Sequence, residues 1–299
     1  METTQNEDPP ETPPHPRREK ISRRKMITRG FFAFTTLAAS VGADAFVIEP
    51  NRLTVDTPDI HIPSLPQAFD GYRIALIADI HYPRFIHPDY VRSAVALANS
   101  YHPDVMVFAG DICDNKGLTA IPDLSGLFDA ATAKDGVWGT LGNHDHWLDA
   151  PGVRKELNRH TPIRMIENEA ITVERGGQGL AIGGVGDLWC GVVDVPKAFA
   201  KIPPDMARIL VSHNPDLAED LRDPVRVDLQ LSGHMHGGQI YIPGYGGLLH
   251  PSKYGKKFCQ GLVQGKAHRV YVTRGLHSTG RIRFNCPPAV SIITLRCTP

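Results

Sequence analysis

Short, unbroken apolar runs that each stop on a polar side chain set the rhythm of this chain from residue 72 onward. They read YRIALIAD (72–79), DVMVFAGD (104–111), VWGTLGN (137–143), ARILVSH (207–213) and VDLQLSGH (227–234). Each is too short for a stable helix and lacks the strict polar alternation of a half-exposed strand. Buried strands of a sheet covered on both faces are therefore expected. After the first run, PDYVRSAVALANS (88–100) places Val91, Ala94, Val95 and Leu97 on or near one helical face, and residues 122–133 read as a second helix. From 163 to 186 the runs IRMIEN, AITVERG and GLAIGGVG are shorter and separated by glycines, the signature of a β-meander. VYVTRG (270–275) and AVSIITL (289–295) supply further strands. Alternating strands and helices predict an α/β domain. No internal repeat is visible. No helix follows GGQGLAIGGVG, which removes the dinucleotide-binding reading of its glycines.

The N-terminal segment follows a different pattern. Residues 1–20 are polar, proline-rich and almost without apolar side chains, so they can form no core and disorder is expected. SRRKMITRGFFAFTTLAASVGADAF then gives a basic stretch, an apolar stretch over Phe31–Ala43, and Ala43 and Ala45 in an A-x-A arrangement, the layout of an export signal. The thirteen residues Phe31–Ala43 fall short of the twenty or so that a membrane-crossing helix needs. A cleaved signal is thus favoured over a tether formed by 31–48, the more so with Asp44 in the run. Arg23-Arg24, preceded by Ser22 and followed by Met26 and Ile27, resembles a twin-arginine signal, which would make the twin-arginine export machinery a partner. The expected organisation is a disordered leader plus signal over 1–45, a linker over 46–68 holding Pro58, Pro63 and Pro66, and one domain over 69–299.

Composition narrows the function classes. With 299 residues, 41% of them hydrophobic and 21% charged, the chain has ample volume for a buried core. Thirty-two basic and thirty-two acidic residues cancel, which leaves no global electrostatic case for a nucleic-acid partner. The five cysteines are scattered with no C-x-x-C pair, so neither a zinc knuckle nor a disulfide scaffold is indicated.

The candidate chemistry lies where the apolar runs end. They end in Asp79-Ile80-His81, in Gly110-Asp111 with Asp114 three residues on, in Gly142-Asn143-His144-Asp145, in Ser212-His213, and in Gly233-His234-Met235-His236. Ligand sites of open α/β sheets form at the carboxyl ends of strands, so these ends are expected to converge. A merely hydrophilic rim would be mostly Ser, Lys and Glu. This set is almost purely Asp, His and Asn, the oxygen and nitrogen donors of a transition-metal centre. Gly237 and Gly238 let the turn fold tightly enough to present both imidazoles of GHMHGG.

In this order, DIH, GDICD, GNHD, VSHNPD and GHMHGG, the motifs resemble those of the calcineurin-like metallophosphoesterase superfamily. The match spans Asp79 to His236. The flanks LPQAFDGYRIALIADIH, GHMHGGQ and VYVTRGL resemble its exported or membrane-associated bacterial phosphodiesterase branch, which includes proteins related to UDP-diacylglucosamine pyrophosphatases. The resemblance implies a four-layer α/β/β/α sandwich with two mixed sheets over residues 69–299. It also implies two divalent metal ions, drawn from Mn, Fe, Zn and Mg. One would be held by Asp79, His81, Asp111 and His236, the other by Asp111, Asn143, His213 and His234, with Asp111 as the bridge. A hydroxide shared by the two would attack a phosphoester in line. His144 would stabilise or protonate the leaving oxygen while Asp114 holds its other nitrogen.

The branch and the export signal tilt the expected substrate toward a lipid-linked phosphodiester or pyrophosphate. They place the protein in the periplasm or on the outer face of the cytoplasmic membrane, in contact with the membrane surface. A phosphomonoesterase of the same fold and a non-catalytic exported metal-containing binding protein are the alternatives. Asp145 reads either as support for the neighbouring ligands or as a helix cap. His146 and Trp147 read as cleft wall or ordinary packing. Arg274, His277 and Arg283 read as surface residues or as contacts to a second phosphate. The loop 243–261, rich in Gly, Tyr and Lys, reads as a lid or a lipid-facing surface, and His250 within it has no motif context.

Overall fold

The computed structural model describes residues 22–116, 120–222 and 225–298, so the polar leader expected over 1–20 lies outside the described residues. The chain divides into a unit ending at Gly42 and a unit spanning Ala43–Pro299. Arg23–Ala43 is an α-helix. The helical stretch Arg23–Asn51, 29 residues with an apolar window of mean hydropathy 1.7, is long and apolar enough to cross a membrane, and a signal sequence has the same character. This corrects the thirteen-residue count. The helix starts before Phe31 and runs on past Asp44, so one carboxylate does not end it.

In the second unit the apolar runs become the strands of two mixed sheets. The first sheet runs Thr54–Asp56, Ala289–Cys297, Arg73–Ile77, Val105–Ala109, Val137–Thr140, Arg164–Met165, and Asp59–Ile62 also pairs with Ala289–Cys297. Its central strands are parallel, with Ile74 opposite Val105 and Ile77 opposite Phe108, while Ala289–Cys297 lies antiparallel to Arg73–Ile77. The second sheet runs Gly261–Gln264, Arg269–Val272, Leu229–Ser232, Ala207–Val211, Gln178–Gly184, Glu169–Arg175. Its four middle strands are parallel and its two edges are antiparallel hairpins.

Alternation of side chains builds the layers. Ile74, Leu76, Val105 and Val107 pack against Leu180, Ile182, Ile209, Val211, Leu229 and Leu231 of the second sheet. The intervening Ala75, Ile77, Met106 and Phe108 pack against Val91, Ala94, Val95 and Ala98 of the helix Pro88–Ser100 and Leu157 of the helix Asn143–His160. Outside the second sheet, Ala181 and Leu210 meet Val195, Ala198 and Leu217 from the short helices Val195–Ala198 and Leu217–Asp220. The result is the α/β/β/α sandwich. Every residue of Val105–Ala109 and Ala207–Val211 is buried, which is why those runs carry no polar alternation. Each such aliphatic side chain contributes roughly 1.5–3 kcal/mol.

Three segments differ from their sequence reading. Residues 122–133 form turns instead of a helix: the Asp123 carboxylate accepts the Ser125 N–H at 2.8 Å, which closes a side-chain turn in place of a first helical turn. Their apolar spacing is still used, since Leu124, Leu127 and Phe128 are buried and Phe128 packs edge-on against Phe108 at 5.3 Å. The expected meander over 163–186 is split between sheets. Arg164–Met165 pairs in parallel with Val137–Thr140 in the first sheet, and only Glu169–Arg175 and Gln178–Gly184 form a hairpin, in the second. Within 46–68, Thr54–Asp56 and Asp59–Ile62 pair with Ala289–Cys297.

Candidate metal centre

Both sheets deliver their parallel strand ends to one place. Asp79, Asp111 and Asn143 follow the strands ending at Ile77, Ala109 and Thr140, and His213 and His234 follow those ending at Val211 and Ser232. The backbone at this junction is held in a costly form. Asp79 (φ +53°), His81 (+51°), Asp111 (+52°), His234 (+71°) and His236 (+49°) all sit in the left-handed region, where a non-glycine residue costs on the order of 1 kcal/mol or more. Tight main-chain bonds keep them there. Ile80 and His81 N–H donate to the Asp111 carbonyl at 2.8 and 2.9 Å, and His234 N–H donates to the Asp79 carboxylate at 2.8 Å.

Glycine is required where donors crowd the chain. A Cβ on Gly142 would stand 2.3 Å from Asp111 Oδ1. After His236, Gly237 and Gly238 have φ of +65° and +73°, and Cβ atoms there would meet Cys286 Sγ and the Gly247 backbone at 2.4 and 2.5 Å. The tight turn expected after His236 is present.

Imidazole orientation is the most informative feature. His213 Nδ1 lies 2.8 Å from the Ala109 carbonyl, His234 Nε2 2.8 Å from the Pro251 carbonyl, and His236 Nδ1 3.1 Å from the His277 carbonyl. A carbonyl only accepts, so each of these nitrogens carries a proton, which leaves the opposite nitrogen free of that bond to face the site. Those free nitrogens point inward: His213 Nε2 is 3.2 Å from Asp111 Oδ2, His234 Nδ1 is 3.3 Å from His213 Nε2, and His236 Nε2 is 3.8 Å from Asp79 Oδ1. Donation of the distal N–H to a backbone carbonyl is the usual support of a metal-ligating histidine. His81 Nε2 approaches Asp111 Oδ2 at 3.4 Å. Asn143 Oδ1 is buried with no hydrogen-bond partner, an acceptor waiting for a cation or donor.

The donor atoms of Asp79, His81 and Asp111 lie within 4.8 Å of one another, as do those of Asp111, His213 and His234, and as do those of His81, His236 and His277. Asp111 is common to the first two clusters. The electrostatics suit cation binding. Burial works to raise Asp111, but His213 and His81 hold it well below the usual carboxylate range. Burial alone would lower His213, and the Asp111 charge overrides it and lifts that imidazole to about 10, so without a cation its Nε2 also holds a proton against Asp111, which a bound cation would displace. Burial raises Asp79 to about 7. It keeps His81 and His236 well below their ordinary value and brings His234 to about 3, so these three offer lone pairs at neutral pH.

His144 belongs to neither cluster that shares Asp111, although its donor atom lies within 4.8 Å of those of His81 and Asp114. Its ring Nδ1 is 3.2 Å from Asp114 Oδ1, its main-chain N–H donates to Asp111 Oδ1 at 2.8 Å, and the side chain faces the cleft. Burial pulls its pKa down and the bond to Asp114 outweighs that, raising it. Asp145 supports the neighbouring turns and is not itself the N-cap, which is Gly142. At the third position of the helix Asn143–His160, its carboxylate accepts the Gly142 N–H at 2.9 Å, and it also accepts Ile112 and Cys113 N–H at 3.2 and 2.7 Å, which fastens the GDICD turn to the GNHD turn.

The centre opens into a cleft of about 530 Å3. Trp147 and Trp189 stand over it, 6.5 Å apart, with Trp147 4.8 Å from the His144 ring and Trp189 edge-on to His234 at 4.5 Å. Leu248, Leu249, His250 and Pro251 also line it, and Lys116 adds a cation. His146 does not line it. Within the loop 243–261, residues 252–254 are tied to the short helix Leu217–Asp220 and its start: Ser252 Oγ and Lys253 N–H donate to Asp216 at 2.5 and 3.1 Å, and the Tyr254 hydroxyl donates to Asp220 at 2.6 Å.

A sequence model described as calcineurin-like phosphoesterase matches residues 72–238, the segment that carries these strands and turns. The chain belongs to that family. It is 31% identical to an uncharacterized metallophosphoesterase, YkuE, of Bacillus subtilis over 94% of this chain and 99% of that protein. It is 32% identical to the phosphodiesterase YaeI of Escherichia coli over 75% of this chain and 82% of the relative. With the UDP-2,3-diacylglucosamine pyrophosphatase LpxG of Chlamydia muridarum, identity is 26% over 84% and 91%. Membership makes the protein a phosphoester hydrolase of a family that works with divalent metals.

Three features of this phosphoesterase site escaped the sequence reading. Arg283, read as a surface residue or phosphate contact, is fully buried and donates to the carbonyls of Arg274, His277 and Cys286 at 2.8, 2.5 and 3.0 Å. Arg274 pairs with Asp56 at 2.6 Å, a partner more than two hundred residues away in sequence. Trp189 is positioned by Asp187, whose carboxylate accepts the Trp189 and Cys190 N–H groups at 2.9 Å each. Nothing in the local sequence around DLWC marks that turn as part of the cleft.

Proposed function

We propose that the protein is a two-cation phosphodiesterase or pyrophosphatase acting on a phosphoester that carries an apolar, lipid-like group. One observation supports this most: two carboxylate–imidazole clusters sharing Asp111 sit at the floor of a cleft walled by Trp147, Trp189, Leu248 and Leu249. In this reading Asp79, His81, Asp111 and His236 hold one cation, and Asp111, Asn143, His213 and His234 hold the other. Divalent cations bound there would acidify a shared water and neutralise phosphate oxygens. The remaining work belongs to the chain. Asp111 would offset the mutual repulsion of two neighbouring cations, and Asn143 would donate a neutral oxygen that adds no charge. His144, held by Asp114, faces the cleft with its second nitrogen and delivers a proton to the departing oxygen. Lys116 offers a charge to a further phosphate. The relatives named as a phosphodiesterase and as a diacylglucosamine pyrophosphatase support the substrate class.

The apolar wall supplies the test. Leu248 and Leu249 are 41% and 45% exposed, so replacing them leaves the core intact. Leu248→Ser with Leu249→Ser is expected to lower kcat/KM for a diacylated sugar-nucleotide pyrophosphate by about ten- to a hundredfold, from roughly 1.5–3 kcal/mol of lost apolar contact per leucine reduced by partial exposure. Turnover of water-soluble bis(p-nitrophenyl) phosphate should stay within about twofold. Equal losses on both substrates, or none on the acylated one, would argue against the lipid assignment. Phosphate release from monoesters alone would favour the phosphomonoesterase.

Export is part of the same reading. Arg23-Arg24 opens the apolar helix that continues to Asn51. The twin-arginine machinery would carry the folded, metal-loaded protein to the periplasm or the outer face of the cytoplasmic membrane, where lipid-linked phosphoesters are found at the bilayer surface. Replacing both arginines with lysine should shift the protein to the cytoplasmic fraction. Unchanged fractionation would remove that route.

A further inference from the structure

His277 belongs to none of the sequence motifs, yet it stands inside the metal cluster. It is 3% exposed, and neither ring nitrogen has a hydrogen-bond partner. Its neighbours are other rings: His81 at 4.7 Å, His236 at 6.1 Å and Phe85 at 6.4 Å. A buried imidazole with both nitrogens unsatisfied is unfavourable unless something else occupies them. Its donor atoms lie within 4.8 Å of those of His81 and His236, close to the separation of about 3–4 Å expected for two nitrogens sharing one cation at about 2.0–2.1 Å.

The main chain holds the ring there from two sides. His277 N–H donates to the Asp79 carbonyl at 2.7 Å, and its own carbonyl accepts from His236 Nδ1 at 3.1 Å. Arg283, wholly buried, binds the carbonyls of His236, Arg274 and His277 and so ties the segment 274–277 beside the GHMHGG turn. His277 therefore fixes the tautomer of His236 with its backbone and presents its own ring to the same space.

We propose that His277 is an added ligand of the cation assigned to Asp79, His81 and His236. This rests on the two-cation reading above. That cation then has three imidazoles and two carboxylates, against two imidazoles, one carboxylate and one carboxamide for its neighbour. The nitrogen-rich site should prefer imidazole-loving ions such as Zn or Fe, and the other should exchange more freely.

Metal binding, not turnover, tests this. The chelator-stripped full chain is titrated with Co(II) or Zn(II) against a competing indicator, and the visible Co(II) spectrum is recorded. The native protein should show a tight and a weaker class. His277→Ala should weaken the tight class by about ten- to a hundredfold, alter its Co(II) bands and leave the other class unchanged. His277→Gln, which fills the space and keeps hydrogen-bonding groups, should do the same and serves if the alanine variant does not fold. His81→Ala should strike the tight class and His213→Ala the weaker one. If these two act while both His277 variants bind and absorb as the native protein does, the His277 assignment is overturned. If His81→Ala and His213→Ala also leave both classes untouched, the two-cation reading itself fails.

Discussion

Asp111→Asn is expected to reduce turnover of bis(p-nitrophenyl) phosphate in the presence of manganese by more than about a thousandfold while the protein remains folded. The Asp111 carboxylate is the only donor common to the Asp79–His81 cluster and the His213–His234 cluster among the described residues. Its Oδ2 lies 3.4 Å from His81 and 3.2 Å from His213, and its Oδ1 accepts the His144 N–H at 2.8 Å. Asparagine preserves the shape and that last bond but removes the charge. Two cations then repel with no shared anion between them, and several kcal/mol of transition-state stabilisation is lost, at about 1.4 kcal/mol per decade of rate. The strands that carry the site are buried on both sides, so the far-ultraviolet circular dichroism should match the native protein. Turnover within tenfold of native would show that Asp111 bridges nothing.

His144→Ala should separate substrates by leaving group. A nitrophenolate departs without a proton, so loss there should be under about tenfold. An alkoxide needs one, and its release should slow by about a hundred- to ten-thousandfold, the range of general acid catalysis. Metal content should change little, since the His144 ring is held by Asp114 and, though near His81, belongs to neither cluster that shares Asp111. Asp114→Asn should give a weaker form of the same pattern, about ten- to a hundredfold on the alkyl ester, because it acts only by holding His144 Nδ1. Identical losses on both esters would make His144 a binding residue instead of an acid.

The sheet was legible because its strands are buried on both faces, and burial leaves only apolar residues to read. The helix Pro88–Ser100 was legible in its bounds, with Val91, Ala94 and Val95 buried as their spacing required, while Leu97 is only half-buried and Ala98 takes the fourth core position. The convergence of the candidate donors was legible because they follow strands closely in sequence, and a strand's end is visible where the apolar run stops. What the sequence hid falls into two kinds. The segment 122–133 carries helical spacing of Leu124, Leu127 and Phe128, and apolar spacing cannot tell a helix from successive turns that bury the same residues. Arg283, His277, Asp187 and Trp189 reach the site from separate loops, and their roles depend on which distant backbone they meet. An arginine bound to carbonyls is indistinguishable, in sequence, from one in solvent. The strained φ values at Asp79, His81, Asp111, His234 and His236 were equally invisible, although they are among the clearest marks of the centre.

Anomalous diffraction from crystals of the protein purified without chelators tests the central claim most directly. Two peaks about 3.5–4 Å apart, lying on either side of Asp111 with donors from Asp79, His81, His236, Asn143, His213 and His234, are the predicted result. A single peak, or metal bound elsewhere while these side chains pair only with one another, would contradict it.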